Sequence, residues 1–178
     1  MIERIETERL RIRDVHASDG DAFYRYMKHE DYWRNLPMQP PTLESVRSFV
    51  EKCLREQTGN PRTNYFLAAV SKETGEVIGE AIFADCKLAA RSSRDRVGCG
   101  WAIHRPWLGS GDWPSHAELW LRSRPVSALP QCHVENTPSL RIMAKLAMPE
   151  EGILRENVKA RGQWWSSSQW SIIRTEHE

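Results

Sequence analysis

The chain has no long apolar run and no excess of charge of one sign. Its 178 residues carry a formal net charge of +1, with a mean hydropathy of -0.61. No apolar run approaches the roughly 20 residues that a membrane-spanning helix needs, so we expect no membrane partner. The balanced charge predicts no broad basic face for nucleic acid, and we interpret the Arg-rich segment 91–96 as a solvated loop.

An apolar leader and paired cysteines are also missing. The first ten residues, Met1–Leu10, are charged throughout, which excludes the apolar core of a secretory signal. The four cysteines stand at positions 53, 86, 99 and 132, without the close spacings typical of zinc or redox motifs. We therefore expect a soluble, cytoplasmic protein that uses no metal.

The sequence is rich in tryptophan, with eight residues. Each Trp combines a large apolar body with one hydrogen-bond donor, so this number indicates either a deep core or a groove that holds a ligand. The length suits one domain with its own core, and neither a repeat nor an internal linker interrupts it. We predict a single domain over residues 1–178.

Strand and helix patterns alternate along the chain. Apolar residues recur with a period of two in the strand-like segments and at helical spacing in the helix-like ones. The Thr74–Gly75 pair joins two strand-like runs and predicts a hairpin. These patterns indicate an α+β fold. The predicted strands are 10–14, 65–70, 77–83 and 97–103, and the predicted helices include 43–57 and 137–146.

A glycine-containing turn, "RPWLGSGDWPSHAE" at 105–118, follows a strand pattern and precedes a short helix pattern. Gly109 and Gly111 would present successive N–H groups at the positive end of a helix, which favours an anion such as pyrophosphate. A Gly-x-Gly pair is a weak signal, however, and by itself favours an ordinary turn.

The C-terminal third carries a more specific pattern. Residues 132–165, "CHVENTPSLRIMAKLAMPEEGILRENVKARGQWW", place Cys-His, Asn and Ser at a strand end and helix start, followed by a Glu-Gly-x-Leu-Arg-Glu strand. This pattern resembles the GNAT superfamily of acetyl-CoA-dependent N-acetyltransferases, and most closely its ribosomal-protein alanine or serine N-acetyltransferase branch (RimJ/RimL type). "ETERLRIR", "GEVIGEAIF" and "VGCGWAIHRPWLGSG" match other strands of that branch, so the resemblance covers nearly everything except about 112–131.

The resemblance implies a GNAT fold, with a mixed, mostly antiparallel sheet of six to seven strands splayed in a V and flanked by about four helices. It implies acetyl-CoA as cosubstrate, bound in the V with its thioester beside the central strand. A backbone N–H would polarise the thioester carbonyl, where negative charge develops as an amine attacks. The residues implied in coenzyme binding are Ala102, Ile103, His104, Leu108, Gly109, Ser110, Gly111 and Asn136.

Two residues are the catalytic candidates that the resemblance implies. Ser139 would hydrogen-bond the departing sulfur, and Glu80 would accept the proton of the amine, directly or through water. Each has a plainer alternative: Asn136 and Ser139 could only cap a helix, and Glu80 could face solvent. His104 or His133 could serve as base instead, because an unperturbed imidazole titrates near pH 6.5.

The remaining candidates are aromatic or sulfur-containing. Trp33, Trp107 and Trp164, together with Trp165, could line the acceptor groove, although alternation near the C-terminus also fits core aromatics. We interpret Cys132 as a small buried residue rather than a nucleophile, since direct acetyl transfer needs no acyl-enzyme.

The segment at about 112–131 departs from the family pattern. Trp113 stands where a small residue usually lets the helix approach the phosphates, Pro114 has no N–H, and Asp112 adds a negative charge beside a pyrophosphate. The segment is also shorter than usual, and Ser115 could cap no more than a short helix. One hypothesis is that it was translated out of frame, which the other two frames of the coding DNA would test.

The primary interpretation is an acetyl-CoA-dependent N-acetyltransferase that acts on a primary amine of a small molecule or a protein N-terminus. The alternative is a catalytically impaired or non-catalytic GNAT-like domain that binds a peptide or small amine. Neither interpretation fixes the oligomeric state, and a monomer and a homodimer both remain open.

Overall fold

A computed structural model describes residues 5–6, 8–62, 64–85, 96–100, 127–128 and 130–171. The described strands are β1 (Ile5–Glu6), β2 (Leu10–Asp14), β3 (Asn64–Ser71), β4 (Val77–Asp85), β5 (Arg96–Gly100), β6 (Ser127–Ala128), β7 (Gln131–His133), β8 (Glu150–Ala160) and β9 (Gln163–Trp170). The described α-helices are α1 (Gly20–Met27), α2 (Glu30–Trp33), α3 (Leu43–Gln57) and α4 (Thr137–Lys145), and a 3-10 turn at Ala17–Asp19 precedes α1.

The described strands form two separate sheets. The first has six strands in the order β1-β2-β3-β4-β5-β6, and the second has three in the order β7-β9-β8. Neighbouring strands are antiparallel except β5 and β6, which are parallel. The α+β class and the mostly antiparallel pairing are therefore confirmed.

The prediction of one sheet with six to seven strands was wrong for the described part of the chain. That part contains nine strands, and the sheet divides between β6 and β7. Pro130 lies just before β7 and has no N–H, and its carbonyl accepts a hydrogen bond from Trp170 N at 3.0 Å. This hydrogen bond extends the pairing of β7 with β9 by one residue.

Strand β3 is buried on both faces and separates two apolar cores. One face, through Leu67 and Ala69, packs with α4, and the opposite face, through Phe66 and Ala68, packs with α1 and α3. Alternation along a strand sends successive side chains to opposite faces, so a strand covered on both sides is apolar at every position. Five successive β3 residues, 66–70, are buried as this requires.

The helices begin at residues that can cap them. Thr42 Oγ1 accepts from Ser45 N at 3.1 Å, and Ser45 Oγ accepts from Thr42 N at 2.9 Å, so the two residues form a reciprocal cap for α3. Helix α3 matches the predicted bounds 43–57, and α4 matches the predicted helix to one residue. Among the described residues, no helix has both the length and the apolar character that crossing a bilayer requires.

Two tight turns set the register of the hairpins. Gly75 adopts a φ of 71° in the β3–β4 turn, which confirms the hairpin predicted at Thr74–Gly75. Between β8 and β9, Ala160 pairs with Gln163 across a two-residue turn in which Arg161 and Gly162 have φ values of 48° and 79°. Positive φ at both central residues is typical of a type I′ hairpin turn. This geometry places Arg161 at the tip of the second sheet.

Candidate active site

Glu80 lies inside the protein, in the middle of β4. Its side chain is 2% exposed, so the alternative of a solvent-facing Glu80 was wrong. Two tyrosine hydroxyls donate to its carboxylate: Tyr26 from α1 to Oε2, and Tyr32 from α2 to Oε1 at 2.5 Å. The carboxylate is thus held at both oxygens by two short helices that precede it in the chain.

Burial controls the protonation of this group. Loss of solvation raises the pKa of Glu80, and the hydrogen bonds from Tyr26 and Tyr32 lower it, with a net pKa raised to about 7. Burial and the charge of Glu80 raise the pKa of both tyrosine hydroxyls, which therefore stay protonated as donors. A carboxyl that titrates near neutral pH, with two fixed donors, can accept and release a proton under ordinary conditions.

A cavity of about 470 Å³ lies beside this cluster. Its wall combines the N-terminal helices and the loop after α2 with Ile82 of β4 and with the second sheet, so the cavity spans the division between the two sheets. Tyr32 lines the cavity and its hydroxyl donates to Glu80, so this residue connects the buried carboxylate with the cavity wall. The other described lining residues are Met27, Asn35, Leu36, Pro37, Met38, Pro41, Ser45, Val46, Phe49, Gln131, Cys132, His133, Asn136, Val158, Trp165 and Ser167.

Several predicted site residues meet at the wall contributed by β7 and the start of α4. Asn136 and His133 both line the cavity, and Asn136 Oδ1 accepts from Ser139 N at 3.3 Å as the N-cap of α4. Ser139 is half-buried in the first turn of α4, and it is not among the described lining residues. The capping role of Asn136 is confirmed, and the catalytic role of Ser139 stays a prediction.

Cys132 also lies on this wall. Burial raises the pKa of the Cys132 thiol to about 11, and the nearby Glu150 adds to the effect. A thiol with such a pKa is almost entirely protonated at neutral pH and is a poor nucleophile. This chemistry supports the interpretation of Cys132 as a structural residue.

The predicted groove tryptophans have different positions. Trp165 lines the cavity, with its ring centroid 4.4 Å from that of His133. Trp33 is joined to it through Arg161, whose guanidinium carbon lies 5.4 Å from the Trp33 ring and 4.5 Å from the Trp165 ring. Trp164 is 58% exposed and is not among the described lining residues.

Arg161 fixes the loop that closes one side of the cavity. Its guanidinium donates to the carbonyls of Trp33, Arg34, Leu36 and Met38 at distances between 2.5 and 3.2 Å. Leu36 and Met38 line the cavity, so Arg161 holds part of the cavity wall by its backbone.

The remaining predictions fall outside the described residues. They concern Ala102, Ile103, His104, Trp107, Leu108, Gly109, Ser110 and Gly111, together with the segment 112–126. In the described part of the chain, no group of three or more His, Cys, Asp or Glu side chains could hold a metal ion.

The comparison that decides the family is a match of residues 9–149 to the model of the acetyltransferase (GNAT) domain. The chain belongs to the GNAT acetyltransferase family. Its members use acetyl-CoA as the acetyl donor. The expected superfamily is thereby confirmed, and the match includes β2 to α4 and so every described strand of the first sheet except β1.

Individual GNAT relatives cover almost the whole chain. The uncharacterized N-acetyltransferase p20 of Bacillus licheniformis is 25% identical over 182 residues, which cover 99% of both chains. A GNAT acetyltransferase structure from Bacillus anthracis is 23% identical with a TM-score of 0.79, covering 98% of this chain and 100% of that one. The ribosomal L7/L12 alpha-N-protein acetyltransferase RimL in complex with coenzyme A is 16% identical with a TM-score of 0.76, covering 96% and 98%.

The division between the sheets of this GNAT domain suits an extended ligand such as the arm of acetyl-CoA. Among the described strands, β6 pairs only with β5, at residues 96 and 97, and β7 pairs only with β9. In the described part of the chain, each sheet therefore has a strand edge at the division, where main-chain groups can bind an extended chain by adding to the sheet. Asn136 lies at the same place, at the start of α4.

The residues that sequence reasoning missed are Tyr26, Tyr32 and Arg161. The helical spacing of Phe23, Tyr26 and Met27 was visible, but nothing in it showed that Tyr26 contacts a strand 54 positions away. The Arg161–Gly162 pair between two strand patterns was a recognisable turn signal, and it would have placed Arg161 at a hairpin tip.

Proposed function

We propose that this GNAT protein transfers acetyl from acetyl-CoA to a primary amine that binds in the cavity. The observation that carries the proposal is the hydrogen bond from the Tyr32 hydroxyl to Glu80, because Tyr32 also lines the cavity and so connects the buried carboxylate with it. The cavity lies at the division between the sheets, so an amine within it would be next to the proposed place of the thioester. The acceptor could be a small molecule or, as in the ribosomal-protein branch, a protein N-terminus.

The proposed reaction needs one proton acceptor and one donor. The neutral amine nitrogen forms a bond to the acetyl carbon as the carbon–sulfur bond breaks, and the coenzyme leaves as a thiolate. The amine's surplus proton passes to the Tyr32 oxygen as the Tyr32 proton passes to Glu80, which leaves Tyr32 unchanged and Glu80 protonated. The thiolate then takes a proton from water, and Glu80 later returns its proton to water. Ser139 is our candidate for a hydrogen bond to the leaving sulfur.

Glu80 suits the role of final proton acceptor. A pKa of about 7 means that much of the carboxyl is ionised at neutral pH, yet its protonated form is also accessible. Efficient general bases have a pKa near the working pH. The apolar wall favours the neutral form of the bound amine as well, since burial lowers the pKa of a cationic amine.

The test is release of coenzyme thiol from acetyl-CoA with a panel of amines, comparing the wild type with Tyr32→Phe. Positioned acid–base groups contribute roughly 100-fold or more to a rate, so we expect Tyr32→Phe to lower kcat/KM about 100-fold. Tyr24→Phe is the matched control, because Tyr24 lies on α1 but not on the described cavity wall. It should keep the wild-type rate.

The alternative, a non-catalytic domain, has a distinct outcome. Acetyl-CoA would raise the melting temperature of the wild type by binding the native state, but no amine would release thiol. Absence of both effects would contradict the proposed use of acetyl-CoA itself.

A further inference from the structure

We infer that the acceptor is a monoamine with an uncharged, mainly apolar body, such as an arylalkylamine, rather than a polyamine, an amino acid or a peptide N-terminus. This inference rests on the proposed function, since it assigns the substrate class of the same cavity. Two features of the described wall carry it: its mainly apolar composition and its lack of charged side chains.

The cavity wall is mostly apolar. Helices α1 and α3 contribute Met27, Val46 and Phe49, and the strands contribute Ile82 and Val158. The loop after α2 adds Leu36, Pro37, Met38 and Pro41. A cavity of about 470 Å³ lies within the range of pockets that enclose small molecules, and an apolar wall stabilises a ligand body in proportion to the apolar area removed from water.

The same wall has no Asp, Glu, Lys or Arg among its described residues. The carboxylate proposed to take the proton of a ligand in the cavity is Glu80. It is hydrogen-bonded to Tyr32 and can accept one proton. A polyamine would bring a second ammonium group that no carboxylate on the described wall balances, and an amino acid would bring a carboxylate that no cation on the described wall balances. Burying an unpaired charge is costly, so the wall selects against both classes.

Arg161 strengthens the discrimination against a second cation. Its guanidinium donates to the carbonyls of Leu36 and Met38, and it is 4.5 Å from the Trp165 ring. Trp165 itself lines the cavity. A second ammonium group near Trp165 would therefore lie close to a like charge.

The polar positions of the wall suit a neutral group on the ligand. These positions are Tyr32, Asn35, Ser45, Gln131, Asn136 and Ser167, whose side chains carry no charge. His133 packs against Trp165 and both residues line the cavity, so the described wall also offers aromatic surface to an apolar ligand body.

The experiment compares three acceptors with acetyl-CoA: 2-phenylethylamine, putrescine and an alanine-initiated tetrapeptide. We expect kcat/KM to be at least about 100-fold higher for 2-phenylethylamine than for either of the others, because each rival loses binding through an unbalanced charge or unpaired polar groups. A preference for putrescine or for the tetrapeptide would overturn the inference, although the acetyltransferase activity would stand.

A charge placed on the wall tests the cause of the preference. Val158→Glu adds a carboxylate to the cavity, and we expect it to reduce the ratio of 2-phenylethylamine to putrescine at least about 10-fold. Ile153→Glu is the matched control, since Ile153 is on the same strand, is 59% exposed and does not line the cavity. An unchanged ratio in a folded Val158→Glu protein would contradict the inference.

Calorimetric titration of the wild type with 2-phenylethylamine and with putrescine separates this inference from the proposed function and does not depend on the folding of any variant. Tighter binding of 2-phenylethylamine without turnover would support the ligand class and contradict the acetyltransferase proposal. Tighter binding of putrescine would contradict the ligand class whatever the activity.

Discussion

Glu80 is subject to two opposing effects. Burial disfavours its charge, and hydrogen bonds from Tyr26 and Tyr32 favour it, with burial the larger effect. Burial alone would raise the pKa so far that the carboxyl stayed protonated at neutral pH. The hydrogen bonds alone would lower the pKa so far that the carboxylate was too weak a base. The combination leaves a base that titrates near neutral pH, at a position that is 2% exposed.

This pKa predicts a pH-dependent stability. The folded carboxyl has a pKa of about 7, against an ordinary value of 4.5, so between these pH values the folded protein binds a proton that the unfolded chain has released. The stabilising contribution of protonated Glu80 is complete below pH 4.5 and is lost as pH rises to about 7. The loss amounts to about 3 kcal/mol.

Urea denaturation at several pH values measures this contribution. We expect Glu80→Gln to remove the fall in the free energy of unfolding between pH 5 and 8, because the amide does not titrate. The difference between variant and wild type cancels other groups, such as Asp19, that titrate in both proteins. Glu73→Gln, at an exposed turn position, should keep the wild-type slope, and an equal slope in Glu80→Gln would show that Glu80 is ionised throughout.

At the scale of elements, one hairpin tip determines the shape of the loop after α2. Arg161 donates hydrogen bonds to four carbonyls of residues 33–38, and its guanidinium also contacts the rings of Trp33 and Trp165. Arginine suits this role because its planar guanidinium presents several donors in fixed directions. Without it, the loop would lose the groups that hold Leu36 and Met38 against the cavity.

Replacing Arg161 tests this positioning role. Arg161→Asn keeps a residue that tolerates positive φ in the turn but removes the guanidinium. We expect the KM for the amine to rise about 10-fold with little change in kcat, and the free energy of unfolding to fall by about 2 kcal/mol. Arg155→Asn, at an exposed position of β8, is the control. An equal loss of kcat and stability without a change in KM would indicate a structural role only.

How far the elements could be predicted depends on whether their signals are local. Helix α3 followed from the helical spacing of apolar residues, and the β3–β4 hairpin followed from the Thr74–Gly75 pair, since both signals lie within a few residues. The division of the sheet depends instead on β7 choosing β9 as its partner. That choice joins residues more than 30 positions apart, and no local pattern encodes it.

Prediction of the candidate site was limited in the same way, because contacts between residues far apart in the chain have no local signal. Glu80, His133, Asn136 and Trp165 were proposed from the sequence, and the last three of these line the cavity. The burial of Glu80 could not be predicted, because alternation along β4 does not show which face the helices cover. The tyrosines that complete the site come from α1 and α2, and only the tertiary fold brings them to β4.

In the whole molecule, the two sheets contribute different groups to the candidate site. The first sheet and its helices hold Glu80, the proposed proton acceptor, and the second sheet contributes β7 and Trp165 to the cavity wall. A ligand at the division would contact both. Membership of the GNAT family and a cavity that extends from the Glu80 cluster to the division between the sheets together support two neighbouring substrates, one for each side of the transfer.

The most direct test of the account is the pH dependence of kcat/KM for acetylation of 2-phenylethylamine by the wild type and by Glu80→Gln, from pH 5 to 9. The profile of kcat/KM reports the groups that titrate in the free enzyme. We predict a wild-type rise that bends at about pH 7, and a Glu80→Gln profile about 100-fold lower without that bend. Coincident profiles, with the same bend in both proteins, would show that Glu80 does not accept the proton.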